Sequence, residues 1–501
     1  MPRLALVALL VSLLVGCRPL RRSTANLVIM QTEAPRSMDP ADHTETYTSA
    51  VLDPMYEGLT RFNQQLQVVP ALATSWRSAA DGMTWTVALR ANVRFHDGTP
   101  FNADAVLASF NRMIDVKRGL AGASNVRRTV ESVHALDPLT VSFRLKAPFA
   151  AFPQLLAVTS MISPAADRNG YLSRHAVGTG PYRFAEWKTG EYVREVRNEE
   201  YWWKKLRSAE LRWMWTTEPA LMNMAVLAGE VDLVNPLPPV FADAMRHNQK
   251  VRLLSGESSA VFWVALNTRY KPLGDVRVRR ALNYATDRVN LVRSQLRGYG
   301  RPASSPLSPA IANYDAGVKG YPYDPGKARA LLAAAGYPDG FQLSMAVQEN
   351  LVNFAEVLQG MWAQVHVTLT IQRLESGVFS QTIFGTPEQK AATRTDSVFA
   401  SWASPTLDAE RQLGPLFRTR NWSPVGANLG FYSNPKLDRL LDQAAAELDP
   451  VKQHAFYKDA QQIISDDAPH VLLYSAVDLA AVRENVSDLW LFPGGQVELA
   501  Y

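Results

Sequence analysis

The chain has 501 residues, 47% of them apolar and 20% charged, with a formal net charge of +5 and no dense run of Lys or Arg. That length exceeds one small core and suffices for two or three lobes. The balance excludes a disordered or membrane-embedded chain, and the dispersed charge excludes the electrostatic footprint of a nucleic-acid binder.

The N-terminus reads as targeting. Arg3 precedes an apolar run over residues 4–15 that only Ser12 interrupts. The run is shorter than the roughly 20 residues a spanning helix needs. Leu14-Val15-Gly16-Cys17 then matches the bacterial lipoprotein pattern, in which the Cys becomes the lipidated first residue of the mature chain. Residues 1–16 are thus expected to be a signal peptide and 17–25 a lipidated tether, with Cys17 holding the protein to a membrane. The alternative is an ordinary secretory signal with an incidental Cys. Cys17 is the single cysteine, so no disulfide forms within one chain. No later stretch is apolar enough for a transmembrane helix.

From there strands and helices alternate. Leu27-Val28-Ile29-Met30 predicts a buried strand that runs into the turn Ser37-Met38-Asp39-Pro40. Residues 50–56 predict a helix and 57–62 a strand. Residues 81–112 have the clearest local logic. Asp81-Gly82 turns the chain, and Trp85, Val87 and Leu89 share one face of a strand. Val93 and Phe95 continue it, Asp97-Gly98-Thr99-Pro100 turns again, and Asn102 caps a helix. Residues 130–145 alternate as a hairpin with its turn at Asp137-Pro138. Gly178 and Gly180 flank Thr179 in a loop whose backbone can approach something closely. Strands follow at 211–215 and 262–267, with a helix at 221–228 ended by Gly229. A single helix is predicted over 275–288, another after Asp324-Pro325, and a third over 355–363. Strands at 365–372 and 398–402 precede a loop at 405–416. Helices over 435–448 and 451–465 and a buried strand at 471–474 complete the chain. The class is α/β with mixed sheets.

No enzyme motif emerges. The eight histidines show no one-, three- or four-residue pairing, so no zinc-type helix or ribbon forms. Neither a Gly-x-Ser-x-Gly elbow nor a phosphate loop ending in Lys-Ser/Thr is present. A hydrolase is therefore disfavoured, and no cofactor or metal is expected.

Several runs resemble the extracytoplasmic solute-binding proteins of family 5, the peptide class that serves ATP-driven (ABC) importers. They are the 81–112 stretch, Met38-Asp39-Pro40, Glu57-Gly58-Leu59, residues 70–76, Ile162-Ser163-Pro164, Val177-Gly178-Thr179-Gly180-Pro181-Tyr182, Asn198-Glu199-Glu200-Tyr201-Trp202-Trp203 and the 275–288 segment. The resemblance implies a bilobal clamshell of the type II periplasmic class. Lobe I would comprise 26–70, 176–266 and 475–501, with a subdomain inserted over 71–175; lobe II would span 267–474. Two strands would cross the hinge. It further implies a monomer in the periplasm or cell envelope, a short peptide as ligand, and permease and ATPase subunits at the inner membrane as partners.

Dipeptide and oligopeptide binders of the family carry an Asp three residues after a Trp, to hold the peptide ammonium. Here Trp402 is followed by Pro405, and Asp408 and Glu410 come later. This loop, with 298–341 and 428–434, resembles the glutathione-binding subgroup. An ammonium and two carboxylates then call for an acid, Asp408 or Glu410, and for Arg411, Arg418 or Arg420. Trp402 is expected on the cleft wall, and Met38, Thr44, Tyr47 and Thr179 at its lip. A dipeptide, an opine, a nickel complex, or a role as chaperone or sensor partner are the alternatives, because one fold serves many ligands.

Overall fold

A computed structural model of the chain describes residues 26–168, 170–487 and 489–499. The predicted signal segment, Cys17 and the tether lie outside the described residues. Among those described, no helix is long and apolar enough to cross a membrane.

One 11-stranded sheet runs through both lobes. Its spine is a pair of antiparallel strands, Val251–Leu266 and His470–Arg483. On one side Ser397–Trp402 pairs with residues 261–266, and the parallel strands Phe341–Gln348 and Val367–Leu374 lie beyond it. On the other side Leu233–Val234 pairs with Ala481 and Val482. Asn26–Gln31 and Glu210–Trp215 extend the sheet in parallel, and Tyr192–Arg197 and Tyr182–Lys188 close it. The spine strands therefore belong to both lobes. Their register breaks between Glu257 and Val261 and again between Phe262 and Trp263. Extra residues on one strand bend it and raise its twist, which sets the junction between the lobes.

Both spine strands are longer than their sequence predicts, at 16 and 14 residues. Ser255-Gly256-Glu257-Ser258-Ser259 lacks the apolar alternation of a strand. It is held extended by its partner strand and by the tail, where Ser259 N donates to Pro493 O at 2.7 Å.

A separate four-stranded sheet is built from Ala73–Ser78, Thr84–Leu89, Thr140–Leu145 and Val130–Asp137. Trp85, Val87 and Leu89 face its core, as their alternation predicts. Asn102 Oδ1 accepts from Ala105 N at 3.2 Å and starts Ala103–Ile114. Gly178 and Gly180 do meet backbone closely, but inside the protein. A Cβ at Gly178 would lie 2.1 Å from Met55 O, and one at Gly180 2.5 Å from Pro54 O.

Two predicted elements are corrected. The helix expected over 275–288 is two helices, Val276–Tyr284 and Arg288–Leu296. Asp275 caps the first and Asp287 the second, each accepting a backbone N–H of its own first turn. The buried Arg288 guanidinium fixes the break by donating to the carbonyls of Leu472, Asn283 and Tyr321. The loop expected over 405–416 contains the helix Ala409–Phe417, with Pro415 inside it.

Candidate ligand cleft

In open α/β sheets the C-terminal ends of parallel strands line the crevice where ligands bind. Here two sets of such ends converge on the lobe junction. From one lobe come Gln31, Trp215 and Val234; from the other, Gln348, Leu374 and Trp402. Trp402 stands opposite Val261 on the spine, and Val234 opposite Ala481. Between these levels the spine residues Leu254 to Ala260 and Ala476 to Ala480 bridge the two sets of strand ends as a floor.

The segment after Trp402 is compact and polar. Pro415 has no N–H, so it cannot give the carbonyl of Arg411 its helical hydrogen bond. Trp402 Nε1 supplies that bond instead, at 2.9 Å. The indole is thereby fixed half-buried, at the margin of the apolar cluster that Phe62, Leu66, Trp490 and Phe492 also join. Asp408 caps the helix: its carboxylate accepts from Arg411 N at 2.9 Å and from the Thr406 hydroxyl. It is buried, and burial raises its carboxyl above the ordinary range against the Thr406 hydrogen bond. Glu410 pairs with the buried Arg418, which also reaches Asp442 at 3.1 Å. Burial raises Glu410 too, with Arg418 opposing. Both acids are thus engaged by their own lobe.

Arg411 leaves that lobe. Its guanidinium donates to Thr129 Oγ1 and stands 4.9 Å over the Phe149 ring, both on the four-stranded subdomain. Its Nε is buried without a partner among the described residues. Arg128 lies close by; burial and the like charge of Arg411 lower its pKa. Arg420 is exposed and pairs with Asp442 at 3.1 Å. Trp402, Asp408, Glu410, Arg411 and Arg418 thus lie at the end of one strand and along the helix that follows it, and Arg411 bonds across to the four-stranded subdomain.

The lip candidates divide. Met38 is wholly buried in the core of the first lobe, its carbonyl accepting from Tyr56 Oη at 3.0 Å. Thr179 is also wholly buried and donates to Glu57 Oε2 at 2.7 Å. Tyr201 Oη and Trp202 Nε1 donate to the same carboxylate at 2.7 and 2.8 Å. These bonds lock the 178–180 loop to the first lobe. Thr44 is exposed, and the half-buried Tyr47 accepts from Arg36 Nε at 3.0 Å.

Sequence reasoning passes over the floor. Asp478 lies opposite Gly256 on the spine. A Cβ at Gly495 would lie 3.9 Å from Asp478 Oδ1 and 3.8 Å from the Thr46 methyl, so the tail turn packs against both. Burial pushes the Asp478 carboxyl up to about 6, with Ser258 opposing. A lone acid in the run Ala476-Val477-Asp478-Leu479-Ala480 is the signal that marks it.

The chain matches the family model for bacterial extracellular solute-binding proteins, family 5 (middle), over residues 67–424. It is 33% identical to the glutathione-binding protein GsiB of Escherichia coli (strain K12) over 465 residues, covering 91% of this chain and 90% of that one. Among solved structures, HbpA2 from Haemophilus parasuis is similar with a TM-score of 0.85 at 27% identity, covering 95% of this chain and 100% of that one. NikZ from Campylobacter jejuni, in complex with Ni(L-His), is similar with a TM-score of 0.77 at 26% identity, covering 95% and 98%.

Proposed function

Because the chain belongs to the bacterial extracellular solute-binding proteins of family 5, we propose that it captures glutathione or a closely related short peptide between its lobes and delivers it to the permease and ATPase of an ABC importer. The observation that carries the ligand assignment is the identity to a glutathione-binding protein across nine-tenths of both chains. Two features of the cleft support it. Pro405 stands where a plain dipeptide binder is expected to carry an acid, and Arg411 reaches across the junction beside Arg128. A peptide carboxylate suits that pair of guanidiniums.

The test is a thermal-shift panel on the purified protein, refolded to strip bound ligand. Reduced and oxidised glutathione, dipeptides, tripeptides and the nickel–histidine complex are compared. A ligand at a hundred times its Kd adds about 2.7 kcal/mol to stability. The expected outcome is a clear rise in Tm with glutathione, with the ligand recovered chemically intact and the rise diminished in Arg411→Ala. A flat glutathione trace beside a strong shift with a dipeptide or with nickel–histidine overturns the assignment. In cells, the same reading places the protein on a membrane through Cys17, so Cys17→Ser should move it from the membrane to the soluble fraction. Retention of the variant on membranes refutes the anchor.

A further inference from the structure

We propose that Asp478, together with Asn235 and Gln496, forms an anionic subsite on the cleft floor that takes the primary ammonium of the ligand. This rests on the peptide reading given above. Asp408 has both carboxylate oxygens bonded within its own lobe, and Glu410 is neutralised there by the buried Arg418, with its Oε2 left without a hydrogen-bond partner among the described residues. An acid that no ion pair neutralises suits the positive end of a peptide better.

Three acceptor oxygens meet that need: Asp478 Oδ2, Asn235 Oδ1 and Gln496 Oε1 are all buried with no partner among the described residues. They gather around one turn. Asn235 Nδ2 donates to Gly495 O at 2.7 Å, and the Gly495 Cβ position faces the Asp478 carboxylate. Gln496 Oε1 folds back over Gly494. The turn itself is anchored. Ser259 N donates to Pro493 O at 2.7 Å, Phe492 N donates to Gln496 O at 2.9 Å, and Gly495 has φ +88°.

The chemistry of the set selects its guest. All three atoms only accept, so the guest must donate; one is a carboxylate, so the guest should be cationic. An ammonium offers three N–H donors. The next spine residue does not compete. Side chains alternate along a strand, so Glu257 points to the other face, where Arg301 neutralises it through Oε1 at 2.6 Å while its buried Oε2 has no partner among the described residues. The position is also right. Asn235 follows the C-terminal end of Leu233–Val234, and Asp478 remains partly open at the junction. Closure would thus read a peptide from both ends, the ammonium on the floor and a carboxylate at the Arg411 bridge.

The test pairs each peptide that binds in the panel with its N-acetyl derivative, beginning with glutathione and N-acetyl-glutathione, in titration calorimetry. The wild-type protein should prefer the free amine by tenfold or more, the size of one or two charge-assisted hydrogen bonds. Asp478→Asn should lose about 10- to 100-fold in affinity for the free amine and bring that preference close to unity, with the N-acetyl affinity little changed. Gln496→Leu, which leaves the spine intact, should lose affinity for the free amine only. An Asp478→Asn protein that keeps the preference overturns the proposal, and so does a wild-type protein without one. Binding of a dipeptide with a strong amine preference, but not of glutathione, sinks the glutathione assignment and leaves the subsite standing. Failure of every peptide sinks both.

Discussion

Glu410 and Arg418 show how a residue can look like a ligand contact in sequence and be tied into its own lobe in the structure. Arg418 is 4% exposed and has Glu410 and Asp442 as its acidic partners. Removing one partner of a buried pair leaves the other desolvated and costs about 3–5 kcal/mol. Glu410→Gln is therefore expected to destabilise the ligand-free protein by a few kcal/mol in denaturant titrations. An unchanged midpoint would mean that Glu410 is held for the ligand instead. The identities of these residues were legible in the sequence, but their bonding was not. Asp408 reads as a free acid because Pro405 and Gly414-Pro415 suppress the helix signal that would mark it as a cap. The helix survives because an indole from a neighbouring strand satisfies the carbonyl that Pro415 leaves open. That compensation is tertiary, and no local pattern announces it.

At the scale of elements, what was legible follows from local chemistry. The strand at Thr84–Leu89, the Asn102 cap and the Gly229 helix end, with φ +78°, all appear where side-chain alternation, capping and glycine geometry place them. The fold class was legible for the same reason, since strands and helices alternate throughout. What was missed lies where tertiary partners overrule the local pattern. The polar segment before Ala260 is a strand because the other spine strand and the tail supply its hydrogen bonds. The break at Ala285-Thr286-Asp287 becomes visible only once Arg288 is seen binding the carbonyls around it. Asp478 escaped for a related reason. Its strand reads as ending near Tyr474, so the acid falls outside the predicted element, although that element carries it to the cleft floor. The closing geometry of the cleft thus rests on the two strands that sequence patterning describes least well.

Across the whole molecule, buried histidines couple stability to acidity. His96 joins the four-stranded subdomain to the 178–180 loop, with its N–H 2.9 Å from Gly178 O and Nε2 2.9 Å from Gly180 O. His470 begins the second spine strand, stacked on Trp263 at 4.3 Å and tilted at 45° against Phe417 at 4.7 Å. Burial pushes His96 down to about 4 and His470 to about 3. Both folded values lie below the unfolded value near 6.5, so the unfolded chain binds more protons in that window. Stability from each ring is complete above pH 6.5 and is lost as pH falls toward 4 and 3, at up to about 1.4 kcal/mol per pH unit. The buried acids oppose this. Asp478, raised to about 6, and Glu498, raised to about 7, favour the folded state at low pH and lose that contribution as pH rises through the same range. The raw acid limb of the wild-type protein therefore mixes opposite signs, whereas a difference between two proteins isolates one ring. His470→Phe keeps the aromatic stack and removes the titrating nitrogen. Its stability relative to wild type should be level between pH 7 and 8 and should rise steadily below pH 6.5, by up to about 2 kcal/mol at pH 5. Paired denaturant titrations from pH 8 to pH 4.5 read that difference directly. A difference that stays constant over the range would show that His470 titrates as an ordinary surface histidine, and that its burial between the two aromatic rings carries no proton penalty.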